Sequence, residues 1–167
     1  MIEQEKYSIS KLTSDFVVNS FDCGSSQINS YLKLFALVNQ DNNLGKTWVL
    51  HQKEEKVVIG YYTISNASVS PILFPTSYTK NLPRYPIPCA LIGKLGVDKK
   101  FKILGLGKYL LFDSLQRIKS MSNNIGCNAV IIEAVNDKIA DFYEYYGFIR
   151  FKDKRNNLFY PVSSIPS

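Results

Sequence analysis

The order of strand and helix signals in the second half of the chain constrains the fold more than any other feature of the sequence. An extended segment over 89–97 is followed by a helical pattern of apolar residues and then by the continuous apolar run 129–132. A second helical pattern begins after Asn136, ends at Gly147 and leads into another extended segment, 148–151. A continuous apolar run is typical of a central strand that is buried on both faces. Strand, helix, strand, helix and strand in this order predict a mixed α/β fold around a central sheet. The apolar positions are Leu110, Leu111, Leu115 and Ile118 in the first helix and Ile139, Phe142, Tyr143 and Tyr146 in the second.

Three strands and one helix are predicted in the first half. The first strand covers 7–12, and two strands rich in β-branched and aromatic residues, 47–50 and 57–64, form a hairpin through the turn 53–56. The helix begins at 25–26, where either serine can cap it. Its apolar positions recur at helical spacing and are Ile28, Tyr31, Leu32 and Phe35.

The length and the prolines predict one domain with an irregular connection inside it. A chain of 167 residues lies in the range of a single domain, and neither half is large enough to bury a core well by itself. Five of the seven prolines lie between 71 and 88. We therefore expect one domain over 1–167, with an exposed connection over 71–88 that separates its two halves.

Composition excludes several classes of protein. A hydrophobic fraction of 46% excludes a disordered chain. No apolar run approaches the roughly 20 residues that a membrane helix needs, and the segment 1–12 lacks the apolar core of a signal peptide. Cys23, Cys89 and Cys127 are odd in number and widely spaced, so we expect buried free thiols in a reducing cytoplasm and no metal site. The net charge of +6 favours an anionic partner, either nucleic acid or a phosphate-rich cofactor.

The segment 97–108 has the features of an anion-binding cradle. An extended segment ends at Val97, a lysine-rich loop follows over 98–102, and Gly105 and Gly107 open a helix. The first turn of a helix has unpaired N–H groups and the positive end of the helix dipole, and glycine lets a phosphate approach the backbone. A nucleotide P-loop is excluded because no Lys-Ser/Thr pair follows the glycines. The glycine pair also fits a second interpretation, a tight loop-to-helix junction that binds nothing.

The segment 136–148 resembles a motif of the Gcn5-related N-acetyltransferase (GNAT) superfamily. In that family the motif N-x-x-A-x-x-F-Y-x-x-x-G-F lies one strand and one helix after a Q/R-x-x-G-x-G/A loop. Here the motif is formed by Asn136, Ala140, Phe142-Tyr143 and Gly147-Phe148.

The resemblance implies a GNAT fold, a central mixed, mostly antiparallel sheet with a splayed pair of parallel strands and flanking helices, and acetyl-CoA as the cofactor. The N–H groups of 103–108 would then bind the pyrophosphate. The strand end 95–97 would pair with the pantetheine amides and supply an N–H group to the oxyanion. Tyr143 would be the catalytic residue, a general acid for the departing thiolate; the alternative is a core aromatic beside Phe142 and Tyr146. The implied cofactor-binding residues are Leu95, Gly96, Val97, Lys102, Ile103, Leu104, Gly105, Leu106, Gly107, Lys108, Asn136 and Phe142.

Four further segments resemble the toxin branch of that superfamily. They are 21–24, a helix with Tyr31-Leu32, 60–63 and 88–98. Toxins of this branch acetylate the amino acid on charged tRNA and are held in check by a small DNA-binding antitoxin. The resemblance therefore implies a cytoplasmic N-acetyltransferase that acts on the α-amino group of aminoacyl-tRNA, with a small ribbon-helix-helix antitoxin as its partner. The abundant aromatic residues, if exposed, would also fit a homodimer.

Three positions of the glycine loop depart from the family pattern. Lys102 stands where the family has Gln or Arg, Ile103 where Gly is common, and Leu104 at a position that is usually polar. Lysine offers a phosphate a point charge rather than a bidentate fork. Two alternatives therefore stay open: an acetyltransferase for a small amine or for a protein or peptide amine, and a degenerate GNAT-fold protein that binds the cofactor weakly.

The remaining ionisable residues concern the acceptor. His51, the only histidine, is expected to be a surface or structural residue, and Glu133 is a candidate general base. An α-amino group with a pKa of about 8 is partly neutral at neutral pH, so an aminoacyl acceptor does not require a strong protein base. Two basic clusters are candidates for contacts with tRNA phosphates, unless they are only solvated surface. They are Lys94, Lys99, Lys100, Lys102 and Lys108, and Arg150, Lys152, Lys154 and Arg155.

Overall fold

A computed structural model describes residues 4–154 and 156–167, which form seven strands and five α-helices. The strands are β1 Tyr7–Lys11, β2 Lys46–Gln52, β3 Gly60–Val69, β4 Ile87–Val97, β5 Ala129–Glu133, β6 Ile149–Arg150 and β7 Asn157–Pro161. The helices are α1 Ser26–Ser30, α2 Ala36–Asp41, α3 Thr76–Thr79, α4 Leu106–Met121 and α5 Asp137–Tyr145. A π-helical turn, Tyr31–Phe35, joins α1 to α2, and short 3₁₀ helices cover Gln4–Lys6, Pro71–Leu73, Lys99–Leu104 and Val162–Ser164.

The strands form one sheet in the order β1-β2-β3-β4-β5-β7-β6. β4 and β5 are parallel, whereas β2 pairs antiparallel with β1 and β3, and β7 pairs antiparallel with β5 and β6. The parallel ladder runs from Cys89 opposite Ala129 to Ile92 opposite Ile132, and β4 continues past this ladder to Val97. A parallel pair needs a long crossover, which α4 supplies. This mixed, mostly antiparallel sheet with its one parallel pair confirms the predicted fold class.

The chain forms two compact units. The first comprises the described residues up to Ser65 together with Gly93–Ser114, and the second comprises the described residues of Asn66–Ile92 and Leu115–Ser167. Each unit contains part of β3 and part of β4. The single domain over 1–167 stays a prediction.

In the first unit, the helical region after Ser25 packs its apolar face into a buried core. Ser25 caps α1 by accepting a hydrogen bond from the N–H of Ile28, as predicted. The prediction of Phe35 as a core position is wrong, because its side chain is 53% exposed and Ala36 is buried instead. A π-helical turn takes more residues per turn than an α-helix, so the buried face shifts by one position. The buried core consists of Leu12, Phe21, Cys23, Ile28, Leu32, Ala36, Val49, Val58 and Tyr61.

In the second unit, the proline-rich connection contributes to the core. Phe74 is fully buried, and its ring centroid lies 5.0 Å from that of Phe151 and 4.9 Å from that of Phe159. The expectation that 71–88 is an exposed irregular connection is therefore wrong at the buried Phe74 and Ile87 and at the short helix α3, whereas the remaining residues are exposed or half-buried. The prolines interrupt regular secondary structure, but Phe74, which lies between Pro71 and Pro75, still packs into the core. The buried core of this unit consists of Phe74, Ile87, Cys89, Ala129, Ile131, Phe151 and Phe159.

The strands predicted over 57–64 and 148–151 need correction at their ends. The strand predicted over 57–64 begins at Gly60 and extends to Val69, because Val57 forms only an isolated bridge with Val17. The segment 148–151 is extended as β6 only over two residues, although Phe148 and Phe151 are buried as core residues. β7 was not predicted from the sequence. Within residues 4–154 and 156–167, no helix is both long and apolar enough to cross a membrane.

Candidate cofactor and catalytic site

The cradle is built where β4 ends. The buried carboxylate of Asp98 caps a 3₁₀ helix, Lys99–Leu104, and its Oδ1 accepts a hydrogen bond of 3.0 Å from the N–H of Lys100. This helix replaces the lysine-rich loop predicted over 98–102. Gly105 then adopts a left-handed conformation with φ of 72°, which glycine reaches without steric cost, and α4 begins at the next residue. A glycine is thus needed at the junction itself.

The first turn of α4 offers backbone donors, as the sequence predicts for a cradle. The N–H of Tyr109 donates to the carbonyl of Gly105 at 3.4 Å, so the N–H groups of Leu106, Gly107 and Lys108 have no acceptor within the helix. Leu106 is fully buried and anchors this turn. The side chain of Ile103 is 95% exposed and therefore projects into solvent rather than into the turn.

Two lysines of the cradle bind the segment 21–24. The Nζ of Lys99 lies 3.0 Å from Oδ2 of Asp22, and the Nζ of Lys102 donates to the carbonyl of Cys23 at 2.6 Å. The ammonium groups of Lys94 and Lys108 lie over the rings of Tyr31 and Phe112, respectively. The basic cluster of the first unit is therefore partly engaged in internal contacts.

Asp22 is the most strongly perturbed acid of this region. Its Oδ1 accepts hydrogen bonds of 2.9 Å from the N–H of Gly24 and from the amide of Asn29. The hydrogen bond from Lys99, followed by those from Gly24 and Asn29, holds the pKa of Asp22 far below its usual range. The carboxylate is therefore charged at neutral pH.

The strand end 95–97 precedes the cradle directly. A Cβ atom on Gly96 would lie 3.0 Å from Cγ2 of Ile28 and 3.3 Å from Sγ of Cys23. The close approach of Cys23 and Ile28 favours glycine here, because a Cβ atom would require these side chains to shift. The pairing of this strand end with pantetheine stays a prediction.

α5 carries Tyr143 and is formed as the motif predicts. The Oδ1 of Asn136 caps the helix by accepting a 2.9 Å hydrogen bond from the N–H of Ile139, and Gly147, with φ of 101°, ends it. The ring of Tyr143 packs against Phe142 and Phe148, with centroid distances of 5.3 Å and 5.7 Å. Asn136 thus has a structural role as a cap, whether or not it also touches a cofactor.

Tyr143 is buried in the second unit, and its role as a proton donor stays a prediction. Its side chain is only 4% exposed, and burial raises the pKa of Tyr143 well above that of a free phenol. Within the described part of the chain, the hydroxyl has no hydrogen-bond partner. The phenol is therefore protonated at neutral pH.

Arg150 fixes α5 in the second unit. Its guanidinium lies 2.6 Å from Asp141, 2.8 Å from Glu144 and 4.0 Å from Asp137, three carboxylates on α5. The sequence assigned Arg150 to the second basic cluster rather than to a contact with α5, and it assigned Asp22 no individual role. The sequence did contain a signal for the contact between Arg150 and α5. Asp137, Asp141 and Glu144 are spaced by four and three residues, so they lie on one face of the predicted helix that precedes Arg150.

The histidine, the candidate base and the three cysteines of the sequence lie outside the cradle or have structural surroundings. His51 is buried, not on the surface, and its ring hydrogen-bonds Ser10 and the carbonyl of Gln52, so its role is structural. Glu133 is exposed at the end of β5, and its role as a base stays a prediction. Cys23 and Cys89 are buried free thiols as expected, whereas Cys127 is half-buried. Among the residues described, no group of three potential metal ligands comes together.

The second basic cluster is only partly available. Arg150 is engaged by α5, and Lys152 donates to the hydroxyl of Thr76 at 3.1 Å. Lys154 is exposed, and Arg155 lies outside the described residues. Binding of tRNA phosphates by this cluster stays a prediction.

Comparison with known proteins decides the family. A tRNA-acetylating toxin of Mycobacterium tuberculosis is 31% identical over 131 residues, which are 78% of this chain and 77% of that protein. The chain belongs to the GNAT-fold family of tRNA-acetylating toxins. A second relative in this family, the probable toxin TacT of Sinorhizobium fredii, is 28% identical over 157 residues, covering 89% of this chain and 86% of that protein. No family model matches the sequence.

Solved structures of toxins agree with this assignment. A tyrosine-to-phenylalanine mutant of KacT has a TM-score of 0.91 and 26% identity, covering 96% of this chain and 97% of that chain. AtaT complexed with acetyl-methionyl-tRNAfMet has a TM-score of 0.89 and 29% identity, covering 95% and 96%. AtaTR bound with acetyl-CoA has a TM-score of 0.85 and 28% identity, covering 96% of each chain. The predicted resemblance to the toxin branch of the GNAT superfamily is confirmed.

Proposed function

We propose that this protein transfers the acetyl group of acetyl-CoA to the α-amino group of aminoacyl-tRNA and thereby blocks translation. The observation that carries the proposal is the relationship to a tRNA-acetylating toxin over 78% of the chain. The similarity to AtaT in complex with acetyl-methionyl-tRNAfMet supports the same acceptor. We place the reaction in the cytoplasm, where free thiols such as Cys23 and Cys89 stay reduced.

The cradle fits the diphosphate of acetyl-CoA. Three N–H groups without helical acceptors, those of Leu106, Gly107 and Lys108, form an anion-binding turn at the positive end of α4. Lys102 uses one of its three ammonium hydrogens on Cys23, so two remain for phosphate oxygens. The exposed side chain of Ile103 leaves this turn unobstructed, so the departures from the family loop do not favour a degenerate protein.

The reaction requires a nucleophilic amine, a stabilised oxyanion and a protonated leaving group. Acetyl-CoA supplies the acetyl group as an activated thioester. We assign the oxyanion to an N–H group of the strand end 95–97 and the proton of the leaving sulfur to Tyr143. Burial raises the pKa of Tyr143, so the phenol stays protonated at neutral pH and can donate a hydrogen bond to the sulfur as negative charge develops there. The α-amino acceptor is partly neutral at neutral pH, which removes the need for a strong base such as Glu133.

Two protein associations belong to the proposal. AtaT and KacT are found in complexes with their antitoxins and with DNA. We propose that a small ribbon-helix-helix antitoxin binds this chain in the same way. Exposed aromatic residues, of which Tyr145 and Tyr85 are the clearest, favour a homodimer.

The release of CoA with a panel of acceptors tests the proposal. The purified chain is incubated with acetyl-CoA and with charged tRNA, the same tRNA after deacylation, a polyamine, or a peptide with a free N-terminus. We expect turnover only with charged tRNA. Turnover with the polyamine or the peptide and none with charged tRNA would show the alternative, a transferase for small or peptide amines.

A further inference from the structure

The segment 21–24 is bound to the cradle by four polar contacts on two consecutive residues. The N–H of Asp22 donates to Oδ2 of Asp98 at 3.2 Å, and its carbonyl accepts a 2.9 Å hydrogen bond from the N–H of Lys99. Its carboxylate lies 3.0 Å from Nζ of Lys99, and the carbonyl of Cys23 accepts from Lys102 at 2.6 Å. These contacts join residues that are 76 to 79 positions apart in the chain.

The same segment also supports the strand that leads into the cradle. Cys23 and Ile28 approach Gly96 so closely that a Cβ atom there would lie 3.0 Å from Ile28 and 3.3 Å from Cys23. The carboxylate of Asp22 shapes this region internally by accepting from Gly24 and Asn29. One carboxylate thus organises the segment and ties it to the 3₁₀ helix before Gly105.

We propose that Asp22 is a positioning residue for the diphosphate cradle, although as an anion it cannot itself bind a phosphate. The inference rests on the proposed use of acetyl-CoA. Asp22 holds the first residue of the 3₁₀ helix through Lys99, and the carbonyl of Cys23 holds its fourth residue, Lys102. The N–H groups that follow Gly105 are therefore presented in a fixed direction before the cofactor arrives, which lowers the cost of ordering them on binding.

Charge repulsion by Asp22 and positioning by Asp22 predict opposite changes in cofactor affinity for the variant Asp22→Ala. Removing the negative charge of Asp22 in Asp22→Ala would strengthen the binding of an anionic cofactor if only charge mattered. Loss of position would weaken it, because the variant loses the acceptor of Gly24, Asn29 and Lys99 at once. A hydrogen bond to a charged group is stronger than one between neutral groups. Losing these bonds is therefore expected to lower the affinity for acetyl-CoA about tenfold.

The experiment compares two acetyl donors and three variants. Asp22→Ala is expected to raise KM for acetyl-CoA about tenfold, to leave kcat near that of the wild type and to lower the midpoint of thermal unfolding only modestly, because the lost contacts lie at a partly exposed carboxylate. Its use of acetyl-pantetheine, which lacks the diphosphate, should be unchanged. Asp22→Asn, which keeps an acceptor for Gly24, should recover most of the affinity. The control is Asp15→Asn, which removes one negative charge from an exposed aspartate and should behave as the wild type.

Calorimetry with acetyl-CoA separates the two hypotheses. If the wild type binds acetyl-CoA and folded Asp22→Ala binds it equally well or more tightly, the positioning role is wrong. An equal loss with acetyl-CoA and acetyl-pantetheine would also overturn it, since that result indicates a general structural defect. If the wild type does not bind acetyl-CoA at all, the proposed function fails first.

Discussion

Replacing Tyr143 with phenylalanine should separate catalysis from stability. The ring is only 4% exposed and packs against Phe142 and Phe148, and phenylalanine keeps these contacts. The hydroxyl has no partner in the described part of the chain, so its removal leaves no donor or acceptor unpaired. The free energy of unfolding should therefore stay within about 1 kcal/mol of the wild-type value or rise.

Turnover should fall steeply in the same variant. A general acid contributes about 10² to 10⁴ in rate, which corresponds to about 2.7 to 5.4 kcal/mol of activation free energy. The assay is CoA release at saturating charged tRNA, together with calorimetry of acetyl-CoA, whose affinity should not change. Tyr145→Phe on the same helix is the matched control, because Tyr145 is 82% exposed and phenylalanine keeps the aromatic ring that a dimer contact would use, so only a hydroxyl outside the active site is lost. If Tyr143→Phe turns over within about twofold of the wild type, the tyrosine is only a core aromatic.

Three further predictions concern the cradle, the thiols and α5. Gly107→Glu should abolish acetyl-CoA binding in calorimetry, because a bulky anion would occupy the first turn of α4; unchanged affinity would mean that the diphosphate binds elsewhere. Burial raises the pKa of Cys89 from 9.0 to about 12, so the unfolded chain loses this proton at a lower pH than the native state. Stability should therefore fall as the pH rises from about 9 towards 12, and Cys89→Ala should flatten this dependence in urea unfolding; an equally steep dependence would contradict the assignment. Arg150→Met should lower the free energy of unfolding by about 1 kcal/mol, since its carboxylate partners are largely exposed, whereas the exposed Lys154→Met should have no effect; equal stability of the two variants would refute this.

The regular part of the fold was accessible from the sequence because its signals are local. The serine at 25 caps a helix, Asn136 caps another, and the apolar run 129–132 forms the strand parallel to β4. Each of these features depends on neighbouring residues and needs no knowledge of the tertiary structure. The glycine loop could likewise be placed at the start of a helix, although the 3₁₀ helix before it could not.

What the sequence could not show depends on contacts between distant positions. The π-helical turn that moves Phe35 to the surface, and the burial of Phe74 among prolines, follow from packing with residues far along the chain. The same holds for Asp22, whose partners Asp98 and Lys99 are more than 70 residues away. A motif such as 21–24 can be noticed as part of a family resemblance, but its contact with the cradle is visible only in the structure.

The chemical identity of the acetylated product tests the central claim most directly. Charged tRNA is incubated with the protein and acetyl-CoA, the RNA is digested to its terminal aminoacyl-adenosine, and the mass and fragmentation of that product are measured. Acetyl transfer to aminoacyl-tRNA predicts the added mass of one acetyl group, with fragments that place it on the α-amino nitrogen, and no such product with Tyr143→Phe at the same reaction time. An unmodified aminoacyl-adenosine after complete incubation with the wild-type protein would contradict the account.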